Sequence, residues 1–377
     1  MSSDQNPTDE GIESTTDPRE QFAHAFNRPV DPLAEYSDTF SQLPDPFEYF
    51  MDRVVENRER ITSDGTYENY RRTYDQWSNH VSPTGRHPAC PNVDLVKSFI
   101  DWRRDVHGNA RETILIKLSH LNQAYEHWQR ESVFPHPNDY NPFAIAREET
   151  SLGGSSAKPF PDLTLEDLRE VFADIDNIRA RALIGLQLKH GLRAGEVTNL
   201  ELRDIHLSHS GLQKVYPDLG THDAIGDYTD VLYVSSERDG NKSNVPRLLP
   251  IDDELRWLLS RYLLTRPQTG EPQVFFSTVF SSTLSHTGIN QPWKDAFHPE
   301  YEGTEERRAI TSHFGRHWFS SYWRLEAGLQ REHVQYMRGD RIEPIDSFAD
   351  AIDDYLHPNF EHIESTYRNQ VFKISLQ

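Results

Sequence analysis

Apolar residues recur at helical spacing over much of the chain, and the places where that rhythm stops divide it into segments. In "DPFEYFMDRVVENRER", Phe47, Phe50, Val54 and Val55 share one helical face. "SDGTYENYRRTYDQWSNHV" predicts a helix capped at Ser63 or Thr66, with Tyr70, Tyr74 and Trp77 on one stripe. "NVDLVKSFIDWRRDV" predicts a short helix. "RETILIKLSHLNQAYEHWQRESV" predicts a long one, its Ile114, Leu118, Leu121, Tyr125 and Trp128 spaced by four, three, four and three. The stretch therefore reads as a helical domain over 45–150. Before it, residues 1–44 are polar and acidic with no apolar period, which predicts a disordered tail.

Gly, Ser and Pro crowd the stretch after Ala146, and 151–160 reads as a linker. A second domain, 161–377, opens with "TLEDLREVF", where Thr164 is placed to cap a helix and Asp167 stands three residues on. "RARALIGLQLKHGL" is a strongly apolar helix ending at Gly191. "DVLYVSSERDGNKSNVPRLLPI" reads as two strands around a polar turn. "DDELRWLLSRYLL", "RHWFSSYWRLEAG" and "REHVQYMRG" return to helical spacing. The predicted fold is mainly α with a small antiparallel β-sheet.

Composition narrows the classes. No run of about 18 apolar residues is present, so no membrane span is expected. The polar start, without a basic and then an apolar stretch, is not a secretory signal, and a cytoplasmic location is expected. One cysteine, Cys90, excludes an internal disulfide framework and argues against cysteine-based structural zinc. The net charge of −21 opposes nucleic-acid binding taken alone. Its distribution softens that: residues 1–50 hold 11 acidic and 2 basic residues, whereas 51–200 hold 22 and 19. Arg71, Arg72, Arg103, Arg104, Arg111 and Lys117 decorate the helical domain. Each is a candidate DNA contact, weighed against an ordinary solvated face.

Chemistry concentrates in two places. In "SHFGRHWFSSY", His313 and His317 stand four apart, as a zinc pair on a helix would. Phe314 occupies the position where a hydrolytic zinc site needs its glutamate, and no third ligand is specified, so no metal and no other cofactor is expected. The second place is "HGLRAGEVTNLELRDI", where Arg193 follows the helix-ending Gly191 and precedes Glu196 by three. Arg193 and Arg316, each on a structured turn, are suited to clamp a phosphate through paired hydrogen bonds.

These stretches, with "DDYLHPNFEHIESTYRNQ", together resemble the tyrosine recombinase (phage integrase) family over 161–377, and the helical region resembles that family's core-binding domain. The low lysine content and carboxylate excess are similar to those of members from salt-loving archaea. The resemblance implies a helical core-binding domain joined to an α+β catalytic domain. It matches Arg193 to the family's first arginine, His313 and Arg316 to its H-x-x-R pair, Lys242 to its hairpin lysine, and Tyr355, with His357 behind it, to its nucleophile. Tyr367 is the competing tyrosine. Asp340 stands where the family carries a histidine or tryptophan that helps hold the phosphate.

The implied activity is cutting and rejoining DNA through a 3′-phosphotyrosyl link, without ATP or metal, for a mobile element. The implied partners are double-stranded attachment sites and, because an exchange cuts four strands, four protomers on DNA. The apolar C-terminal segment, with Val371, Phe372 and Ile374, packs either on a neighbouring protomer or on its own domain. Two other readings stay open: a recombinase-like DNA-binding protein with little catalysis, on account of Asp340, and an enzyme of the type IB topoisomerase kind. The charge pattern carries a prediction of its own. Folding, followed by circular dichroism, and activity both rise with KCl; full activity in dilute buffer contradicts adaptation to salt.

Overall fold

The computed structural model describes residues 18–55, 64–150, 158–243, 245–277, 282–340 and 359–375. The chain divides into two compact units, Met1–Ser156 and Ala157–Gln377, each with its own core. Among the described residues no helix is long and apolar enough to cross a membrane.

The first unit is helical. Its main helices are α1 (Pro18–Ala25), α2 (Asp64–Val81), α3 (Val93–Asp101), α4 (Arg111–Arg130) and α5 (Pro142–Glu149). The stripes seen in the sequence are the faces that pack. Tyr70, Tyr74 and Trp77 of α2 are buried, as are Ile114, Leu118, Leu121, Tyr125 and Trp128 of α4. Such side chains each contribute about 1.5–3 kcal/mol on leaving water. Asn92 caps α3, accepting from the Leu95 N–H at 2.9 Å.

The expectation of disorder up to residue 44 needs correction. Residues 1–17 lie outside the described residues, but α1 and the helical turns at 34–40 follow, and Leu33 and Phe40 are buried in the first core. Asp31 anchors this segment through two hydrogen bonds from Arg86, at 2.6 and 2.7 Å. Burial pushes the Asp31 carboxyl up, but the bonds from Arg86 and Asn92 bring it below its ordinary value. Isolated apolar residues among acidic ones carry no period, which is why the pattern missed them.

The second unit begins at the predicted cap. Thr164 and Asp167 form a reciprocal capping box at the start of α6 (Leu165–Ala173). Then comes α7 (Ile178–His190), buried on almost every side because α9 (Asp253–Thr265) and α11 (Ser312–Ser321) pack against it. A helix enclosed all round shows no amphipathic stripe. Between these lie α8 (Ala194–Thr198) and a three-stranded antiparallel sheet of β1 (Ile205–His206), β2 (Val231–Val234) and β3 (Arg247–Pro250), with β2 central. Val231 pairs with Pro250 and Val234 with Arg247. The unit is completed by α10 (His286–Phe297), α12 (Arg331–Arg338) and α13 (Phe360–Gln370). The architecture is mostly helical with small antiparallel sheets, the class read from the sequence.

The C-terminal segment packs on its own unit. Val371, Phe372 and Ile374 enter the second core. Lys189, fully buried on α7, holds the segment by donating to the Phe372 carbonyl at 2.8 Å while pairing with Asp252 at 2.9 Å and Glu254 at 2.8 Å. Residues 158–160 also belong to the second unit: Arg308 N–H donates to the Pro159 carbonyl at 2.8 Å, and Phe160 packs on that unit's core.

Candidate active site

Two left-handed glycines shape the site. Gly191 ends α7 at φ +62°, and a Cβ there would meet Phe319 at 2.6 Å. Its carbonyl, turned out of the helix, accepts from Arg316 Nη1 at 2.7 Å. Gly339 ends α12 at φ +65°, where a Cβ would press against Arg247 Nη1. Neither position accommodates another residue without strain.

Glu196, on α8 and 1% exposed, organises what lies between. Its carboxylate accepts from the Arg193 N–H at 2.8 Å, Arg193 Nη1 at 3.3 Å, Arg247 Nη2 at 3.1 Å and, very closely, the Ser243 hydroxyl. Burial pushes this carboxyl up; Arg247, Ser243 and the Arg193 N–H outweigh that and hold it below its ordinary value. Arg247, also buried, donates to the Met337 carbonyl at 2.7 Å and to Ser243 at 2.9 Å. One carboxylate thus ties together α8, the β2–β3 connection, β3 and the end of α12.

Arg193 and Arg316, far apart in sequence, converge on one anion. Arg193 Nη2 lies 2.8 Å and Arg316 Nη2 2.7 Å from the same oxygen, Oδ1 of Asp340. Both guanidiniums also donate to the Arg338 carbonyl, at 3.4 and 3.0 Å. Arg316 is buried on α11, and burial together with Arg193 and Arg338 pulls it down to about 9. It is still a cation at neutral pH. Asp340, matched by resemblance to a phosphate-holding position, is the occupant of the clamp.

His313 sits one helical turn before Arg316 with its ring open to solvent and Phe160 packed 5.9 Å from it, centroid to centroid. Partial burial, then Arg316 and Arg308, depress its pKa, so the imidazole is neutral at neutral pH. His317 is exposed, packs 5.2 Å from the Phe160 ring, and is depressed by burial and by Arg308 and Arg338. Among the described residues no group of three His, Cys, Asp or Glu side chains could hold a metal ion.

Lys242 is exposed in the β2–β3 connection, one residue before Ser243. That connection is pinned by Asn199, which donates to the Asp239 carbonyl at 2.6 Å, and by Arg238, which donates to the Asn199 carbonyl at 2.7 Å and pairs closely with Asp204.

Tyr355 and His357 lie outside the described residues. The competing Tyr367 is a core residue, 1% exposed. Its hydroxyl donates to the Lys189 carbonyl at 3.1 Å, its ring stacks on His190 and Trp323, and burial raises its pKa far above the ordinary tyrosine value. A hydroxyl so enclosed cannot reach a DNA phosphate, and Tyr367 is set aside.

The six basic residues of the first unit divide. Arg103 is buried, donates to Asn109 at 2.8 Å and lies over Trp102, so it braces a loop instead of facing DNA. The sequence hid this because the π-helical turn Trp102–Val106 rotates it inward. Arg71 pairs with Glu48 at 2.9 Å, and Arg104 pairs with Asp101 and Asp105, both at 2.7 Å. Lys117 donates to Gln76 at 2.7 Å, and burial, Arg103 and Arg72 depress its pKa. Arg72 and Arg111 are exposed and, among the described residues, form no ion pair. Three contributors to the site went unread in the sequence: Ser243, Arg247 and Arg338. Only Arg338 left a trace, two residues before the unexpected Asp340.

Residues 162–341, the part of the chain that holds Arg193, His313 and Arg316, match the phage integrase family. The chain is similar in fold to a lambda integrase tetramer bound to a Holliday junction, with a TM-score of 0.58 and 15% identity over 89% of this chain and 90% of that one. It is similar also to a lambda integrase dimer bound to a COC′ core site, with a TM-score of 0.56 and 14% identity over 82% and 75%. The Tn1549 transposon integrase in complex with transposon right end DNA matches with a TM-score of 0.55 and 16% identity over 86% and 99%. A search of curated proteins by sequence gives no match.

Glu196→Gln leaves Arg247 buried against a neutral amide. It destabilises the second unit by about 3–5 kcal/mol, read as a drop in its denaturant midpoint, and Arg247→Met added to Glu196→Gln recovers part of the loss. Because the Glu196 pKa is depressed, its stabilisation is present above the ordinary carboxylate value and fades as pH falls through the depressed one.

Proposed function

We propose that this protein is a site-specific DNA recombinase that cuts and rejoins DNA through a 3′-phosphotyrosyl intermediate on behalf of a mobile element. The convergence of Arg193 and Arg316 on one anion position, one helical turn from a neutral histidine, carries this reading. The family match over 162–341 and the fold shared with integrases on DNA support it. The first unit serves as the core-binding domain, with Arg72 and Arg111 the freest to meet phosphates. The substrates are double-stranded attachment sites, and four protomers act together, in a cytoplasm rich in salt.

In this mechanism the Tyr355 oxygen attacks the scissile phosphorus as its proton, which an ordinary tyrosine keeps at neutral pH, passes to His313. The bond from phosphorus to the 5′-oxygen breaks, and Lys242 protonates the departing oxygen. Arg193 and Arg316 offset the charge that grows on the non-bridging oxygens, the electrostatic contribution that is usually the largest. The covalent link conserves the bond for religation by a partner 5′-hydroxyl. A second reading, site-specific binding with little catalysis, draws on Asp340 occupying the clamp.

The deciding test uses nicked suicide duplexes built on direct-repeat sequences sought in the DNA beside the gene. Wild-type protein forms a covalent adduct visible on a denaturing gel and Tyr355→Phe forms none. An adduct that survives Tyr355→Phe removes that tyrosine as nucleophile; bound duplex without any adduct favours the second reading. The pH profile gives a further check. A base that must be neutral, with a depressed pKa, puts the midpoint of the acid limb below the ordinary histidine value, and the limb is absent in His313→Gln. A limb above that value counts against His313 as the base.

A further inference from the structure

The arginine clamp holds its own carboxylate, and the way it does so identifies another ligand for phosphate. Oδ1 of Asp340 is shared by Arg193 Nη2 and Arg316 Nη2, at 2.8 and 2.7 Å. The second oxygen, Oδ2, lies 2.8 Å from Nε of Arg338. A carboxylate and a phosphodiester both present two equivalent oxygens on one central atom, sharing one negative charge. The carboxylate is therefore a stand-in for the two non-bridging oxygens of a backbone phosphate.

We propose that Arg338 is a third phosphate-binding arginine, taking the oxygen that Arg193 and Arg316 leave free, and that Asp340 is a resident occupant which the incoming phosphate displaces. The identity of that phosphate as DNA backbone rests on the recombinase reading; the clamp itself does not.

The surroundings fit this exchange. Arg338 is held from both sides: its Nη1 donates to Ser320 at 3.0 Å, and its carbonyl takes hydrogen bonds from Arg193 and Arg316. It lines an open basic pocket of about 340 Å³ with His313, Arg316, His317 and Arg324, so the clamp has an approach. Asp340 N–H donates to the Gln335 carbonyl at 3.0 Å, which fixes the backbone. Displacement therefore moves the side chain and not the backbone. The Asp340 side chain is 23% exposed, and Arg193 and Arg338 are exposed to a similar degree, so an incoming anion reaches the occupant and two of the arginines while Arg316 forms the buried floor.

Departure without replacement would leave three guanidiniums facing one another, so release is coupled to the arrival of another anion. An occupant tethered in place competes at high effective concentration. Free phosphate is thereby turned away, while a phosphate presented by DNA already bound at many points displaces it.

The test uses inorganic phosphate as the probe and the full chain in chloride buffer at constant ionic strength. Isothermal calorimetry and phosphate-dependent thermal melting are read together. Asp340→Asn binds phosphate roughly tenfold or more tighter than wild type, and Arg338→Gln added to it returns the affinity by about the same factor. If Asp340→Asn melts too low for calorimetry, its Tm rises with phosphate more than the wild-type Tm does. Equal affinity or equal Tm rise in wild type and Asp340→Asn overturns the displacement, and a gain that survives Arg338→Gln overturns the third ligand. Phosphate binding needs no DNA cleavage. A clamp that behaves as described with no Tyr355 adduct would sink the recombinase reading alone, and an adduct with no phosphate effect would sink this inference alone.

Discussion

The candidate site depends on one buried carboxylate, that of Glu196. Glu196 is enclosed, and a carboxylate stripped of water is stable only if cations and donors replace the lost hydration. Arg247, Ser243 and the Arg193 backbone supply them. Each comes from a different stretch of chain, so satisfying one charge fixes α8, the connection that carries Lys242, β3 and the end of α12 relative to each other. Replacing the buried pair by apolar residues could preserve packing, but it would release Arg193 from the position that gives it chemical use.

Around this anchor the site is a problem of charge density. Three guanidiniums converge where Arg193, Arg316 and Arg338 meet, and Arg316 is nearly without solvent. Their mutual repulsion has to be offset, and Asp340 offsets it. The same convergence makes the place attractive to a phosphate. Three converging guanidiniums need an anion at all times, and the tethered carboxylate supplies one.

Gly191 and Gly339 give the clamp its precision. Both turn the chain sharply after a helix, and both lie where side-chain atoms of another element press against the backbone. The Gly191 carbonyl orients Arg316, while the turn at Gly339 carries Arg338 and Asp340 on its two sides. The electrostatics are therefore held by backbone conformation, which does not yield with side-chain rotation.

Most of the helices, and two of the three arginines of the clamp, were legible along the chain. The stripes of Tyr70, Tyr74 and Trp77 and of Ile114 through Trp128 became buried faces, because an apolar stripe at helical period has one way to leave water. Thr164 capped its helix, and Arg193, His313 and Arg316 were singled out by the family resemblance. The sequence could not show that Arg103 turns inward, that Leu33 and Phe40 enter a core from an acidic segment, or that Tyr367 is enclosed. It could not show Ser243 and Arg247 meeting Glu196, or the Asp340 carboxylate seated among three arginines. These are contacts between distant stretches, and their partners are selected by burial and charge balance in three dimensions, which leave no periodicity along the chain.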